Sequence, residues 1–297
     1  MMIMYRRLMN LFEGSLVGLL MAGNALAVPG EKALDLQKVD ENVYALVGPL
    51  GNRSPENLGN NATFGFVVTD DGVVVIDSGG SFKGAAAIHA KIRQVTDRPV
   101  KWVINTGGQD HRWLGNGYFK EHGAQVIASE AAVADQRARR QEQLFMLDNQ
   151  VGEQGLEGTA AVYADQTFTD SHRFEFGGVT FELHHSGTAH TPGDSFVWLP
   201  EQYVVPAGDI VFVERLLGVL AHSSSRDWIE SFKDMAALEP ETVVPGHGPV
   251  TDLAQARSDT LDYLVFLRKQ VGAFMDEGRS LSEIGSIDQS RFEHLEN

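Results

Sequence analysis

The sequence predicts an α/β protein in which sheets and helices are stacked in layers. One observation is a set of short apolar runs, of which residues 99–104 are the clearest, that suit buried parallel strands. A second is that such runs alternate with stretches of helical periodicity, for example residues 83–95. A third is that polar residues and paired glycines follow the strand at 99–104, at the carboxyl edge where open α/β sheets place ligands.

The chain divides into two halves, each with strands followed by strand–helix units. The first half has predicted strands at 39–47, 63–69, 72–76, 99–104 and 124–128, and predicted helices at 83–95, 113–121 and 130–149. The second half has a predicted hairpin at 171–184, strands at 195–199, 203–206 and 242–244, and helices at 227–238 and 253–275. We therefore expect a sheet from each half, packed face to face with helices outside.

Regions outside this pattern carry separate expectations. The loop at 48–61 is rich in Gly, Pro and Asn and could border a site. Residues 28–276 are expected to form the folded domain. Residues 277–297 are polar, and we expect them to be a loosely held C-terminal tail.

Residues 1–27 have the features of a secretory signal peptide. Arg6 and Arg7 precede an apolar centre at 14–22, and Ala25-Leu26-Ala27 forms a small-x-small cleavage site. An uncleaved membrane anchor is the alternative, but the apolar run is too short to span a bilayer. We expect cleavage after Ala27, export to a bacterial periplasm, and no membrane span in the mature chain.

Composition limits the classes of partner and of site. With 297 residues and 43% hydrophobic content, the chain can bury one large core or two small ones. The formal net charge of −16 argues against nucleic acid and anionic membranes as partners and leaves a small-molecule substrate as the expected one. The chain has no cysteine, which excludes disulfides, thiolate ligands and a cysteine nucleophile. The oligomeric state stays open.

Five short motifs occur in order between residues 75 and 248. They are Val75-Ile76-Asp77-Ser78-Gly79, the loop at 105–116, Gly187-Thr188-Ala189-His190-Thr191-Pro192-Gly193-Asp194, Ala207-Gly208-Asp209 and Val244-Pro245-Gly246-His247-Gly248. In this order they resemble the motifs of the metallo-β-lactamase superfamily, over roughly residues 37–250. The resemblance implies a four-layer αββα sandwich and a metal-dependent hydrolase.

The loop at 105–116 departs from the family pattern Thr-His-x-His-x-Asp-His-x-x-Gly-Asn. It keeps Thr106 and Gly115 at the family spacing, but Gly-Gly-Gln-Asp-His-Arg stands where the metal ligands normally lie. Gly107 and Gln109 replace the two histidines that, in the family, hold the first metal together with the residue matching His190. Glycine has no side chain, and an amide is a poor zinc ligand. We expect this first metal site to be lost or very weak.

The second metal site of the family keeps more of its donors. Ungapped alignment places His111 at the family's Asp position and Arg112 at its next His position, so that His111, Asp209 and His247 would hold one divalent metal. Two imidazoles and one carboxylate suit zinc best, and also iron or manganese. His190 would be a fourth ligand or a nearby acid or base. A gapped alignment that restores the family's Asp-His pair is the alternative.

The resemblance also implies roles for residues around the metal. Asp110 would orient the attacking water or act as a base. Asp77 would support the loop from behind the ligands, and Gln109 would be a hydrogen-bonding spacer. Arg112, unless neutralised by Asp77 or Asp209, would bind an anionic group of the substrate.

The two loop glycines are expected to open space in the pocket. Gly107 and Gly108 would leave room, where rings stand in the family, for a bulkier substrate or a backbone oxyanion donor. The leading expectation is an exported hydrolase with one metal that acts on an ester, lactone, thioester or amide. The alternatives are an inactive binding or assembly protein on the same fold, and an iron-dependent redox enzyme acting on sulfur compounds.

Overall fold

A seven-stranded sheet forms the N-terminal half of the protein. The computed structural model describes residues 28–296, so the predicted signal peptide at 1–27 lies outside the described residues. The sheet follows chain order, with antiparallel pairing from β1 to β4 and parallel pairing from β4 to β7. Its strands are β1 Asp35–Lys38, β2 Val43–Val47, β3 Thr63–Thr69, β4 Gly72–Ile76, β5 Val100–Asn105, β6 Gln125–Ser129 and β7 Gln166–Phe168.

The C-terminal half supplies the second sheet layer. Its first three strands pair antiparallel, its last two pair in parallel, and a bridge between Leu199 and Val204 joins the two groups. The strands are β8 Ser171–Phe176, β9 Val179–His184, β10 Phe196–Trp198, β11 Val204–Phe212 and β12 Thr242–His247. Strand β7 was not predicted, and β11 continues well beyond the predicted end at 206.

Helices flank both sheets. They are α1 Phe82–Ile92, α2 Asp110–Trp113, α3 Asn116–Glu121, α4 Glu130–Val151, α5 Glu153–Leu156, α6 Ser225–Ala236, α7 Leu253–Ala256 and α8 Asp262–Asp276. A π-helical segment, Arg257–Leu261, joins α7 to α8, so the predicted helix at 253–275 is continuous but locally widened. Among residues 28–296, none of the helices combines the length and apolarity needed to cross a bilayer.

Three apolar layers confirm the αββα sandwich. In β4, Val73 and Val75 pack toward α1, whereas Val74 and Ile76 pack toward the second sheet, as strand alternation requires. Strand β11 and helices α6 and α8 enclose the third layer, around Trp228. Because β4 and β11 are buried on both faces, the sheets must be covered on both sides at these strands, and a four-layer arrangement achieves this.

Close packing interrupts the helix predicted at 113–121. It forms two helices, α2 and α3, separated at Gly115, whose N–H donates to Gly79 O at 2.9 Å. A Cβ at position 115 would lie 2.0 Å from Ser78 O. The loop after β4 therefore lies directly against Gly115, and only glycine allows that approach.

The end of the chain is anchored, which differs from the loosely held tail expected at 277–297. Phe292 and Leu295 are buried in the same apolar cluster as Trp228. Glu296 pairs with the backbone beside Arg215 in a parallel bridge. Two apolar side chains in a polar stretch are a weak sequence signal, so the pattern could not distinguish this segment from a free tail.

Candidate metal centre

The ends of four strands bring the motifs together at one edge of the sandwich. Asp77 follows β4, the loop at 105–116 follows β5, Asp209 lies within β11, and His247 ends β12. The polar residues that these strands carry to the edge are buried, because the strands themselves lie inside the sandwich.

Three predicted ligands form a compact group. His111, Asp209 and His247 each offer one ligand atom, and these atoms lie within 4.8 Å of one another. Among the described residues, this is the group of three potential metal ligands that lie so close together. His111 Nε2 is 3.3 Å from Asp209 Oδ2, and His247 Nε2 is 3.3 Å from Asp209 Oδ1. The ungapped alignment therefore agrees with the geometry, because His111 and not Asp110 faces Asp209.

Arg112 does not face a substrate, contrary to the role expected for it. Its side chain is fully buried behind the ligands. It donates to both oxygens of Asp209, at 3.1 and 2.6 Å, and to Asp77 at 2.8 Å, with further bonds to the carbonyls of Thr63 and Gly246. The two carboxylates raise the pKa of Arg112 despite its burial. Arg112 is therefore a structural cation that orients Asp209.

Asp77 supports the loop as expected. It accepts hydrogen bonds from the Thr106 N–H at 2.7 Å and from the Thr106 hydroxyl, and it takes up φ +68°, a left-handed conformation that is uncommon outside glycine. Burial raises the pKa of Asp77, against the opposing effect of Arg112. The loop frame is closed by reciprocal amide bonds between Asn105 and Asn116, at 3.0 and 2.8 Å.

Asp110 lies on the outer side of His111 rather than in the reaction space. Its carboxylate pairs with Arg53 and accepts from its own loop at the His111 N–H, at 2.8 Å. Burial would raise the pKa of Asp110, but Arg53 and His111 outweigh it and hold the pKa well below its usual value. Its pairing with Arg53 and its contact with His111 Nδ1 at 3.2 Å favour a role in orienting His111 over the predicted role as a base. The Gln109 side chain was expected to be a hydrogen-bonding spacer, and it makes only long hydrogen bonds, at 3.4 Å to Asp110 and from Arg139.

His190 borders the same cavity but does not join the three-residue group. Its Nδ1 donates to Gly218 O at 2.7 Å, and its Nε2 makes no hydrogen bond within the described chain. Burial lowers the pKa of His190 to about 4, so the ring is neutral near pH 7. Of its two predicted roles, the geometry favours the acid–base role over that of fourth ligand.

Gly107 and Gly108 do not open a pocket, contrary to expectation. A Cβ at Gly107 would lie 2.5 Å from Asp194 Oδ1, and a Cβ at Gly108 would lie 1.9 Å from Asp135 Oδ2. Asp194 is fully buried and bonds to the Thr191 N–H at 2.7 Å and to the Thr191 hydroxyl. The space beside these two glycines is therefore filled by carboxyl groups from neighbouring elements.

The cavity beside the three ligands is small and basic. Its volume is about 230 Å³. Its polar lining is Asn52, Arg53, Gln109, His111, His190, Arg215 and His247, and its apolar lining is Phe212, Leu216, Leu217 and Leu220, with Gly218. No carboxylate of the described chain lines it, although the whole chain carries a net charge of −16. The cavity lining therefore carries positive charge, while the carboxylates of Asp110 and Asp209 lie directly behind it.

The donor set fits one divalent cation. His247 Nδ1 lies 3.0 Å from Asn61 O, an acceptor, and 3.0 Å from Arg215 Nη1, a donor, so the ring can carry its proton on either nitrogen. With the proton on Nδ1, Nε2 directs a lone pair toward Asp209 Oδ1, and two acceptors 3.3 Å apart need a cation or a proton between them. Burial lowers the pKa of His247 well below its usual value, which disfavours the proton. Two imidazoles and a carboxylate are ligands that zinc, iron and manganese accept.

A family model described as the metallo-β-lactamase superfamily matches residues 59–247, more than half of the chain. The chain belongs to the metallo-β-lactamase superfamily. Members of this superfamily bind divalent metals. The match confirms the superfamily that the five motifs indicated, and the αββα fold agrees with it.

Relatives within the superfamily differ in what they are named for. A type 2 metallo-β-lactamase from Elizabethkingia meningoseptica is 27% identical over 203 residues, 67% of this chain and 73% of the relative. A linear primary-alkylsulfatase from Pseudomonas sp. (strain ATCC 19151) is 21% identical over 260 residues, 72% of this chain but only 47% of that protein. A solved metallo-β-lactamase from Pontibacter korlensis superimposes with a TM-score of 0.61 at 22% identity, covering 78% of this chain and 99% of that one. At this identity the last match shows the shared fold alone.

Two arginines of this superfamily member were missed by the sequence reasoning. Arg53 Nη2 lies 2.8 Å from His111 Nδ1, and Arg215 Nη1 lies 3.0 Å from His247 Nδ1. Arg53 belongs to the loop at 48–61 that was predicted to border a site, so its surroundings carried a signal. Arg215 lies in no motif. The sequence distinguishes Arg215 only as a basic residue that follows Asp209 closely in an acidic chain.

Proposed function

We propose that the protein is an exported hydrolase that uses one divalent metal, held by His111, Asp209 and His247, to cleave an ester, lactone, thioester or amide bearing an anionic group. The single observation that carries this proposal is a three-ligand group whose two histidines line a cavity that is also lined by two arginines. The metal, zinc by preference, would supply Lewis acidity and an acidified water.

The arginines bind and orient the substrate. Arg215 has no carboxylate within ion-pairing distance among residues 28–296, and Arg53 keeps a buried Nε without a hydrogen-bond partner. Burial, together with the charge of Arg53, lowers the pKa of Arg215, so an anion between the two arginines would relieve an unfavourable arrangement. A carboxylate or sulfate group suits the planar guanidinium fork.

His190 holds the proton-transfer position. Because Nδ1 donates to Gly218 O, the neutral ring presents Nε2 to the cavity as an acceptor. Nε2 would orient the water, accept its proton as the water attacks the carbonyl, and return that proton to the leaving group as the scissile bond breaks. Arg112 and Asp77 keep Asp209 fixed during this step and exchange no proton.

Sulfate-ester hydrolysis is a second candidate. The relative named as an alkylsulfatase aligns with 72% of this chain, and the paired arginines suit a sulfate group as well as a carboxylate. A panel that contains matched carboxylate, sulfate and neutral esters distinguishes the two reactions by which bond is cleaved.

Metal analysis of purified protein tests the centre. We expect about one metal per chain in the wild type and none in His247→Ala, because two remaining donors hold a divalent ion weakly. His122→Ala, which changes an exposed histidine, is the matched control and keeps the metal. A folded wild-type protein without metal would instead support a binding or assembly protein, and iron with a redox signal would support the sulfur-redox alternative.

Substrate charge is tested with Arg215→Gln. Hydrogen bonds to charged groups contribute about 1.5–3 kcal/mol, which corresponds to roughly a 10–100-fold rise in KM for an anionic ester. The matched neutral ester should change little. Equal losses for both esters would contradict the assignment of Arg215.

Export is proposed on the composition of residues 1–27. The N-terminus of the mature protein, determined by sequencing, is expected at Val28. A start at Met1 would contradict it.

A further inference from the structure

A short irregular segment, residues 214–218, supplies part of the cavity wall. It carries Arg215 beside His247, and its Gly218 carbonyl accepts the hydrogen bond that orients His190. Leu216 and Leu217 line the cavity between them. The segment therefore positions one anion-binding group and the ring proposed to transfer the proton.

Residues 214–218 belong to neither a helix nor a strand. Glu214 takes up φ +57°, an unusual conformation for a residue with a side chain. Backbone in such a conformation persists only where surrounding contacts hold it. These contacts come from elsewhere in the chain.

Those contacts come largely from residues 292–296, which we call the C-terminal clamp. The Leu216 N–H donates to Glu296 O at 2.7 Å, and the Glu296 N–H donates to Glu214 O at 2.8 Å. Arg215 therefore lies between two backbone hydrogen bonds to a single clamp residue. The buried Asp259 carboxylate adds a third support, because it accepts from the Glu214 N–H at 3.0 Å and contacts His294 Nε2 at 3.1 Å.

The clamp is itself fixed to the core. Phe292 and Leu295 are 5% and 7% exposed and belong to the cluster that contains Leu217 and Trp228. The Phe292 ring also packs edge-on against Tyr263, with ring centroids 5.1 Å apart. Core packing is thus transmitted through two backbone hydrogen bonds to the cavity wall.

We propose that the C-terminal clamp is a positioning element of the site: residues 292–296 hold Arg215 in the geometry that binds the anionic group of the substrate. This inference rests on the anion-binding role in the proposed function. Leu295 and Glu296 touch neither metal ligands nor substrate and act through Arg215. Releasing the clamp would leave the metal ligands in place and would reduce the fraction of molecules in which Arg215 has the geometry that binds an anion.

Binding of inorganic sulfate to the full-length purified protein tests this without any assumption about turnover. Amide shifts of Arg215 and Gly218 in an NMR titration report the affinity. If the released wall is competent about a tenth of the time, Leu295→Ala weakens sulfate about tenfold. Leu295→Met should restore affinity, because it refills the core. Leu281→Ala, at a 71% exposed position outside the clamp, is the control and should not change it.

A double-mutant cycle separates positioning from general loosening. In an Arg215→Gln background, Leu295→Ala should cause no further loss of sulfate affinity, since the clamp acts through Arg215. Hydrogen exchange at the Leu216 amide should accelerate in Leu295→Ala while exchange at Val211 in β11 stays slow, which shows that the core remains folded.

Several results would overturn the inference. They are a wild type that does not bind sulfate at Arg215, unchanged affinity in Leu295→Ala, and equal losses in the wild-type and Arg215→Gln backgrounds. Where Leu295→Ala fails to fold, deletion of residues 296–297 removes the two backbone bonds and keeps the core side chains, and the same outcomes apply. Sulfate binding that behaves as expected in a protein without hydrolytic activity contradicts the proposed function and leaves the clamp in place.

Discussion

The two halves of the loop at 105–116 belong to one loop, closed by Asn105 and Asn116, but they have different surroundings. Around His111, the ligand side chains face one another, and Asp209 is held from behind by Arg112, which also donates to the carbonyls of Thr63 and Gly246. Around Gly107 and Gly108, the space is filled by the carboxyl groups of Asp194 and Asp135.

This comparison shows that the loss of the first metal's ligands has not left an empty pocket, because other side chains occupy the space. The half that keeps its ligands is held by ion pairs, in which one guanidinium, that of Arg112, contacts the carboxylates of Asp77 and Asp209. The half that lost them is closed by steric contact and hydrogen bonds to Thr191. A histidine at position 107 would therefore clash with Asp194, and we expect that Gly107→His together with Gln109→His does not create a second metal site.

The charge balance of the retained half gives the largest expected effect. Arg112→Met leaves Asp77 and Asp209 buried without their cation, and breaking a buried ion pair costs about 3–5 kcal/mol in the free energy of unfolding. Urea unfolding of chelator-treated protein measures it. Arg226→Met removes an exposed pair with Asp227 and should change stability little. A loss of the same small size in both variants would show that the buried network is not stabilising.

The steric closure of the other half gives a smaller effect. Gly108→Ala places a methyl group against Asp135, and overpacking of this kind costs about 1–3 kcal/mol. Gly285→Ala, where no atom lies within 4 Å of the added Cβ, is the control. Equal unfolding midpoints for the two variants would mean that the space beside Gly108 is open after all.

The buried acid that fills the lost half gives the smallest effect, seen as a pH dependence. Burial, with the nearby charge of Asp209, raises the pKa of Asp194 well above its usual value, so the folded state binds more protons than the unfolded state above about pH 4. Stability should fall as pH rises from there toward the folded pKa. Asp194→Asn removes this slope.

Unfolding midpoints of the metal-free protein, measured from pH 4 to 8, test this comparison of slopes. Asp110→Asn is a contrasting variant, because the lowered pKa of Asp110 contributes stability that is present above about pH 4 and is lost as pH falls. Parallel slopes in the wild type and Asp194→Asn would mean that Asp194 is ionised in the folded state.

Much of the architecture could be predicted, because strand and helix patterns are local. The strands at 63–69 and 72–76 were predicted to the residue, and the helix at 130–149 ends only two residues later. The break at Gly115 and the strand β7 were missed, since both depend on contacts with distant segments. Asp209 and His247 were identified as site residues because their motifs keep the family spacing.

The sequence by itself determined the superfamily, the order of the elements and the identity of the retained donors, because each is encoded in residues near one another in the chain. Only the tertiary structure decided that Arg112 is neutralised, that Gly107 is covered, and that Arg215 reaches the site. Those facts depend on partners about 50 to 190 residues away, such as Thr63 for Arg112 and Asn61 for His247. Packing sets such partners, and no local pattern records them.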